Sequence, residues 1–216
     1  MRRFLLLPLF LFFVTAPLFA NPSWEPIKEK VLKADINPRD RKEKLSLVKE
    51  AIQLADQCLT ENPSEAPCYY YRAQATGLYY EVTIFGYQKG IRHMIQDWQK
   101  SAELDPQFDH AGPYRMLGEL YTDLPKYFGT KDVRQDLDKA LMYLKKAVEL
   151  APNYPTQQID MAEVFIKNKN KNEAAEALKK AEELLPQWTQ DPYYPGWQTT
   201  MRELQKRIVK LEGYKK

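Results

Sequence analysis

Glycine and histidine are scarce in this chain, and their scarcity closes several functional classes at once. Eight glycines fall in 216 residues, and neither Gly86 nor Gly90 is followed by the G-K-S or G-K-T of a backbone loop that cradles phosphate. The two histidines, His93 and His110, have no metal-ligand spacing, and structural roles are expected for both. No G-x-S-x-G turn or local Cys-His signature supplies an activated nucleophile, and adjacent carboxylates such as Glu182 and Glu183 read as an exposed helix face. An enzyme is therefore not expected, and neither a metal nor a cofactor is called for. Charge of one sign is also lacking: 32 Lys and Arg face 29 Asp and Glu, interleaved along most of the chain. The densest basic run, Lys167 to Lys171, is broken by Asn168 and Asn170 and reads as a solvated turn, so nucleic acid is not an expected partner.

Long apolar runs are missing everywhere except at the start. Arg2 and Arg3 precede an apolar stretch from Phe4 to Val14, and the small residue Ala20 stands before polar Asn21. Residues 1–20 thus read as a secretory signal peptide, too short for a comfortable membrane span. Leu18 is larger than the residue preferred three places upstream of a cut, so cleavage at a neighbouring position or an uncleaved anchor are the alternatives. Loss of Arg2 and Arg3 takes the formal charge from +3 to +1. The expected location is periplasmic or secreted, with no stable membrane span after cleavage. Cys58 and Cys68 are the only cysteines, in a compartment where a disulfide persists. Two readings fit them: a bridge stapling two helices, or two small core residues, since Cys58 takes a slot that Ala147 and Ala181 fill elsewhere.

What is abundant is helical. Ala140, Leu144, Ala147 and Pro152 return 34 positions later as Ala174, Leu178, Ala181 and Pro186. Small residues seven apart lie on one helix face and admit a second helix, the leucine fills the space between, and proline stops the helix. Ala51, Ala55, Cys58 and Pro63 repeat the pattern weakly. Met94, Trp98 and Ser101 before Pro106 keep the spacing, but Pro63 and Pro106 are 43 apart, so about nine residues are inserted around Ile84 to Gly90, most simply as longer helices. A second insertion, Leu124 to about Leu137, carries L-P-K-Y-F-G. Helices are predicted over Trp24 to Asp35, Arg39 to Leu59, Pro67 to Val82, Tyr87 to Leu104 and, at the end, about Trp197 to Leu211.

The segment Tyr114 to Tyr121, Y-R-M-L-G-E-L-Y, resembles the first helix of a tetratricopeptide repeat (TPR), with Tyr114, Leu117, Gly118 and Tyr121 at its signature positions. The resemblance implies an all-α fold, a right-handed stack of antiparallel helical hairpins forming a TPR-like solenoid with a C-terminal capping helix. Residues 21–216 form one such domain, with the clearest repeats at 112–153 and 154–188 and the cap at about 197–212. The export signal, the long hairpin ending D-W-Q-K-S-A-E-L-D-P, and Y-R-M-L-G-E-L-Y-T-D-L-P-K-Y-F-G are together similar to the T-component proteins associated with TRAP transporters. That family consists of periplasmic helical accessories to solute uptake, and it implies an envelope protein partner, in particular a solute-binding protein, and a body that in some members is oligomeric. Its lipid-accepting cysteine has no counterpart after this leader.

Usual repeat geometry would line the concave side with Tyr70, Gln74 and Gly77, then Arg115, Glu119 and Thr122, then Ile159, Glu163 and Ile166. Arg115 could grip a carboxylate through two parallel hydrogen bonds or pair with Glu119 one turn on. Tyr127 and Phe128, in the second insertion, are either a rim for a partner or local packing around Gly129. The resulting expectation is a non-catalytic exported scaffold that binds a protein or peptide. The alternative is a small-ligand carrier with an aromatic cavity between the long hairpin and the L-P-K-Y-F-G loop.

Overall fold

The computed structural model describes residues 23–83, 85–127 and 129–211. The leader and Phe128 lie outside the described residues. Among these, nine α-helices follow one another: α1 (Glu25–Ile36), α2 (Arg41–Glu61), α3 (Ala66–Val82), α4 (Tyr87–Leu104), α5 (Phe108–Asp123), α6 (Leu137–Leu150), α7 (Pro155–Lys167), α8 (Lys171–Leu184) and α9 (Tyr194–Lys210). Short 3-10 turns occupy Lys131–Val133 and Leu185–Trp188, and no strand occurs among the described residues. Consecutive helices pack as antiparallel hairpins, while α1, α3, α5, α7 and α9 touch in series along the inner side. This is the expected all-α stack of helical hairpins, with α9 closing its end.

Local chemistry explains the boundaries. Asp40 caps α2 by accepting from the Glu43 amide at 2.8 Å, and Asp136 caps α6 through the Lys139 amide at 2.9 Å. Pro26, Pro67, Pro155 and Pro195 sit in the first turns of α1, α3, α7 and α9, where a missing amide hydrogen costs nothing. The inserted residues of the third and fourth helices lengthen both: α3 and α4 have 17 and 18 residues, against 13 and 14 in α7 and α8. Cys58 at the end of α2 and Cys68 at the start of α3 are bonded, with Cα atoms 6.4 Å apart.

The repeat residues do what their spacing implies. Ala140, Leu144 and Ala147 are fully buried, and a Cβ on Gly118 would come within 2.5 Å of Leu144 Cγ, so only glycine lets α5 and α6 meet this closely. One core runs from α1 to α6 around Trp98, Leu117 and Leu144. A second joins α7, α8 and α9 around Ile159, Leu178, Trp197 and Leu204.

Candidate functional site

One departure from helical geometry organises the inner face. Asp109, His110 and Ala111 all take left-handed backbone angles, with φ of 50°, 58° and 59°, and the right-handed course of α5 resumes at Gly112 and Pro113. Each residue held there costs on the order of 1–2 kcal/mol, so the surroundings must enforce the turn. Gln157 of α7 donates to the His110 carbonyl at 2.8 Å, and the His110 ring stacks on Tyr154 at 4.5 Å with Trp188 edge-on at 4.8 Å. Gly112 lets the backbone lie against Tyr70, where a Cβ would fall 2.6 Å from the phenol oxygen.

The turn aims Asp109 at a polar knot. Tyr70 donates to Asp109 Oδ2 at 2.5 Å and accepts from Arg115 Nη2 at 3.0 Å and from Gln74 at 3.2 Å. Arg115 also reaches Asp109 at 3.3 Å, and its guanidinium lies 5.6 Å over the Tyr154 ring. Its Nε–H, buried, has no acceptor among the described residues. A buried donor left unmet costs about 1–3 kcal/mol.

Beside this knot lies a cavity of about 360 Å³ bounded by α1, α3, α5, α7 and the segment leading into α9. Its two ends of chain meet: Tyr193 donates to Asp35 at 3.0 Å, linking α1 to the α8–α9 connection across 158 positions. Asp35, Asp109, Glu119, Asp160 and Asp191 all line it, against the cations Lys28 and Arg115. Burial raises the proton affinity of Glu119; Arg115 opposes the rise and the Asp123 charge adds to it. Burial and then the Glu119 charge hold Asp160 well above the usual carboxylate range, again against Arg115. Asp160 Oδ2 has no hydrogen-bond partner among the described residues.

Of the sequence-predicted groove residues, Gln74, Arg115 and Glu119 line this cavity, and Tyr70 is buried beneath it. Thr122 and Glu163 line a neighbouring cavity of about 260 Å³ that shares Glu119 and Asp160. There the Thr122 hydroxyl is taken by the Gly118 carbonyl at 2.7 Å, and Glu163 is paired with Arg207 at 2.6 Å. The expected Arg115–Glu119 pairing gives way to Asp109 and Tyr70, which the left-handed turn brings nearer. Ile159, expected on the concave side, is 3% exposed and forms part of the wall of that second cavity, whereas Ile166, 6% exposed, lines neither cavity. On α7 Thr156 and Asp160, one turn apart, line the first cavity, while Ala162 and Ile166 pack into the core with α8 and α9. Asp109, Asp160 and Tyr154 were missed by sequence reasoning. Thr156 and Asp160, one turn apart and beside the buried Ile159, were the available signal.

Tyr127 is 76% exposed and takes no part in the cavity, so the aromatic chamber expected between the long hairpin and its loop is not where this cavity forms. The long hairpin does carry an open depression between α2, α3 and α4, with Tyr79 and Tyr80 in its lining, but Arg72 there is already held by Asp56 at 2.8 Å and Asp97 at 2.6 Å. Among the described residues no three His, Cys, Asp or Glu are grouped to hold a metal ion, and no helix is long and apolar enough to cross a membrane.

A family model described as tetratricopeptide repeat matches residues 134–194, from the approach to α6 through α8 to the start of α9. Among solved structures, a thermophilic TPR protein of Thermus thermophilus superposes with a TM-score of 0.53 at 17% identity, covering 88% of this chain and 92% of that one. The fold is that of a TPR solenoid. No curated protein matches the chain. The matched segment supplies one wall of the cavity, Tyr154 to Asp191, while α1, α3 and α5 supply the other.

Proposed function

We propose that this TPR-like protein is an exported, non-catalytic scaffold that holds a protein partner in the bacterial envelope, as an accessory to solute uptake of the T-component kind. Helical-repeat solenoids serve chiefly as extended binding surfaces, and the Cys58–Cys68 bridge suits an oxidising compartment.

The observation that carries the reading is the meeting of the two insertions. Arg92, in the second turn of α4, donates to Asp132 at 2.7 Å and to Thr130 at 2.6 Å, tying the α5–α6 loop to the start of the long hairpin's second helix. The two adjoining loops present Phe85, 98% exposed, and Tyr127 among exposed Lys89, Lys126, Lys131 and Arg134. Exposed aromatics inside a basic rim suit a protein surface with apolar pockets edged by carboxylates. A solute-binding protein is the partner this reading names.

Crosslinking in intact cells, followed by mass spectrometry of what is captured, tests it with a Phe85→Ser, Tyr127→Ala double variant as the control. One envelope protein captured by the wild type and lost in the variant is the expected result. The same profile from both chains would remove the rim from the interaction, and capture of a second copy alone would make it a self-association surface.

A further inference from the structure

The half-open cavity on the inner face stands apart from the docking rim and has its own chemistry. Three features mark it as built to receive something. The Arg115 guanidinium, 8% exposed, keeps its Nε–H without an acceptor among the described residues at the cavity wall. Asp160 Oδ2 on α7 is buried with no donor among them, and Glu119 lines the facing wall on α5. A left-handed turn of three residues is maintained where its evident product is the placement of Asp109 and His110 at the cavity.

The unmet groups define the occupant. Arg115 Nε–H asks for an oxygen acceptor, and the Asp160 and Glu119 carboxyls ask for donors, best met by an ammonium group. Five carboxyls against two cations disfavour a dicarboxylate or phosphate, whose oxygens add to the acceptors already crowded there. Tyr154 and Trp197, 5.4 Å apart and edge to face, offer an aromatic wall for an aliphatic chain or a second cation. A volume of about 360 Å³ is at the small end for ligand pockets. The geometry points to a site for a free α-amino acid, its ammonium between Asp160 and Glu119 and its carboxylate on the Arg115 guanidinium.

Isothermal titration of the full exported chain with each of the twenty free L-amino acids, and with succinate as the anionic control, tests the assignment. At least one amino acid, neutral or basic, is expected to bind saturably, with succinate at least tenfold weaker. Asp160→Asn keeps the side-chain shape and removes the carboxyl that can ionise against an ammonium, so it is expected to fold, by circular dichroism and melting temperature, and to lose at least tenfold in affinity. Arg115 helps hold the left-handed turn and its loss risks the fold, so Glu119→Gln serves as the second variant, with a loss in the same direction. No saturable binding by any amino acid, tighter binding of succinate, or unchanged affinity in a folded Asp160→Asn chain would each overturn the proposal. Because none of these residues lies in the α3–α4 or α5–α6 loop, failure here leaves the rim result untouched.

Discussion

Asp160 and Glu119 occupy a buried corner in which burial raises the proton affinity of both, and the Glu119 charge raises that of Asp160 further. A carboxyl whose folded pKa is raised stabilises the native state fully only below its unfolded value, about 4, and that contribution is lost as pH rises through the folded pKa. The pair therefore costs stability near neutrality. Asp160→Asn is expected to raise the melting temperature at pH 7 by roughly 2–4 °C, the shift that ~1 kcal/mol produces in a chain of this length, with the gain vanishing near pH 4. Melting curves of the two proteins across that range check it, and an equal or lower melting point at pH 7 would show that Asp160 is already compensated. Glu43 has the opposite sign: its bonds to Arg39 hold it at about 2, so its contribution is present above the unfolded value and fades only in strong acid.

Among the elements, the hairpins differ in what holds them. The α5–α6 hairpin depends on a single missing side chain. Gly118→Ala would place a methyl 2.5 Å from Leu144 Cγ and 3.2 Å from the Ala140 carbonyl, so helix separation must grow. A loss of about 1–3 kcal/mol is expected from such overpacking, measured by urea unfolding; an unchanged midpoint would mean that Leu144 can turn aside. The α2–α3 junction depends on a covalent link instead. The ten-residue separation of Cys58 and Cys68 closes a short loop, worth ~2–3 kcal/mol in chain entropy. Replacing both cysteines with serine should lower stability by about that amount, read from the same unfolding curves, whereas a loss below ~1 kcal/mol would place the helix contacts, not the bridge, in charge of the junction. The two longer helices and the α5–α6 loop were legible as broken periodicity at Pro63–Pro106 and after Leu124. The left-handed turn was not, because Asp109, His110 and Ala111 have no local signature that distinguishes it from a loop joining two helices.

At the scale of the molecule, the start and end of the stack touch across the inner face: Asp35 of α1 and Tyr193 before α9 meet at 3.0 Å and partly close the cavity. Burial raises the Asp35 carboxyl, which the Tyr193 hydroxyl partly offsets. Tyr193→Phe removes one hydrogen bond, a loss of about 0.5–1.5 kcal/mol. Its effect is expected at both chain ends together: faster amide exchange in α1 and across 191–197, with α5 and α6 unchanged. Faster exchange at only one end would show that the two do not close as a unit.

Local pattern alone determined that this chain is a stack of helical hairpins, since helix faces, stops and close approaches are set by residues within one or two turns of each other. Ala140, Leu144, Ala147 and Gly118 carry that information in their spacing. The same spacing brought Gln74, Arg115 and Glu119 to the inner face, because one register serves α3 and α5. Tertiary structure decided the rest. Arg115 chose Asp109 over Glu119 because a turn held by α3 and α7 brought that carboxylate within reach. Asp160 came to line the cavity through the packing of α7 on α5, and residues 158 positions apart were brought within a hydrogen bond at its rim.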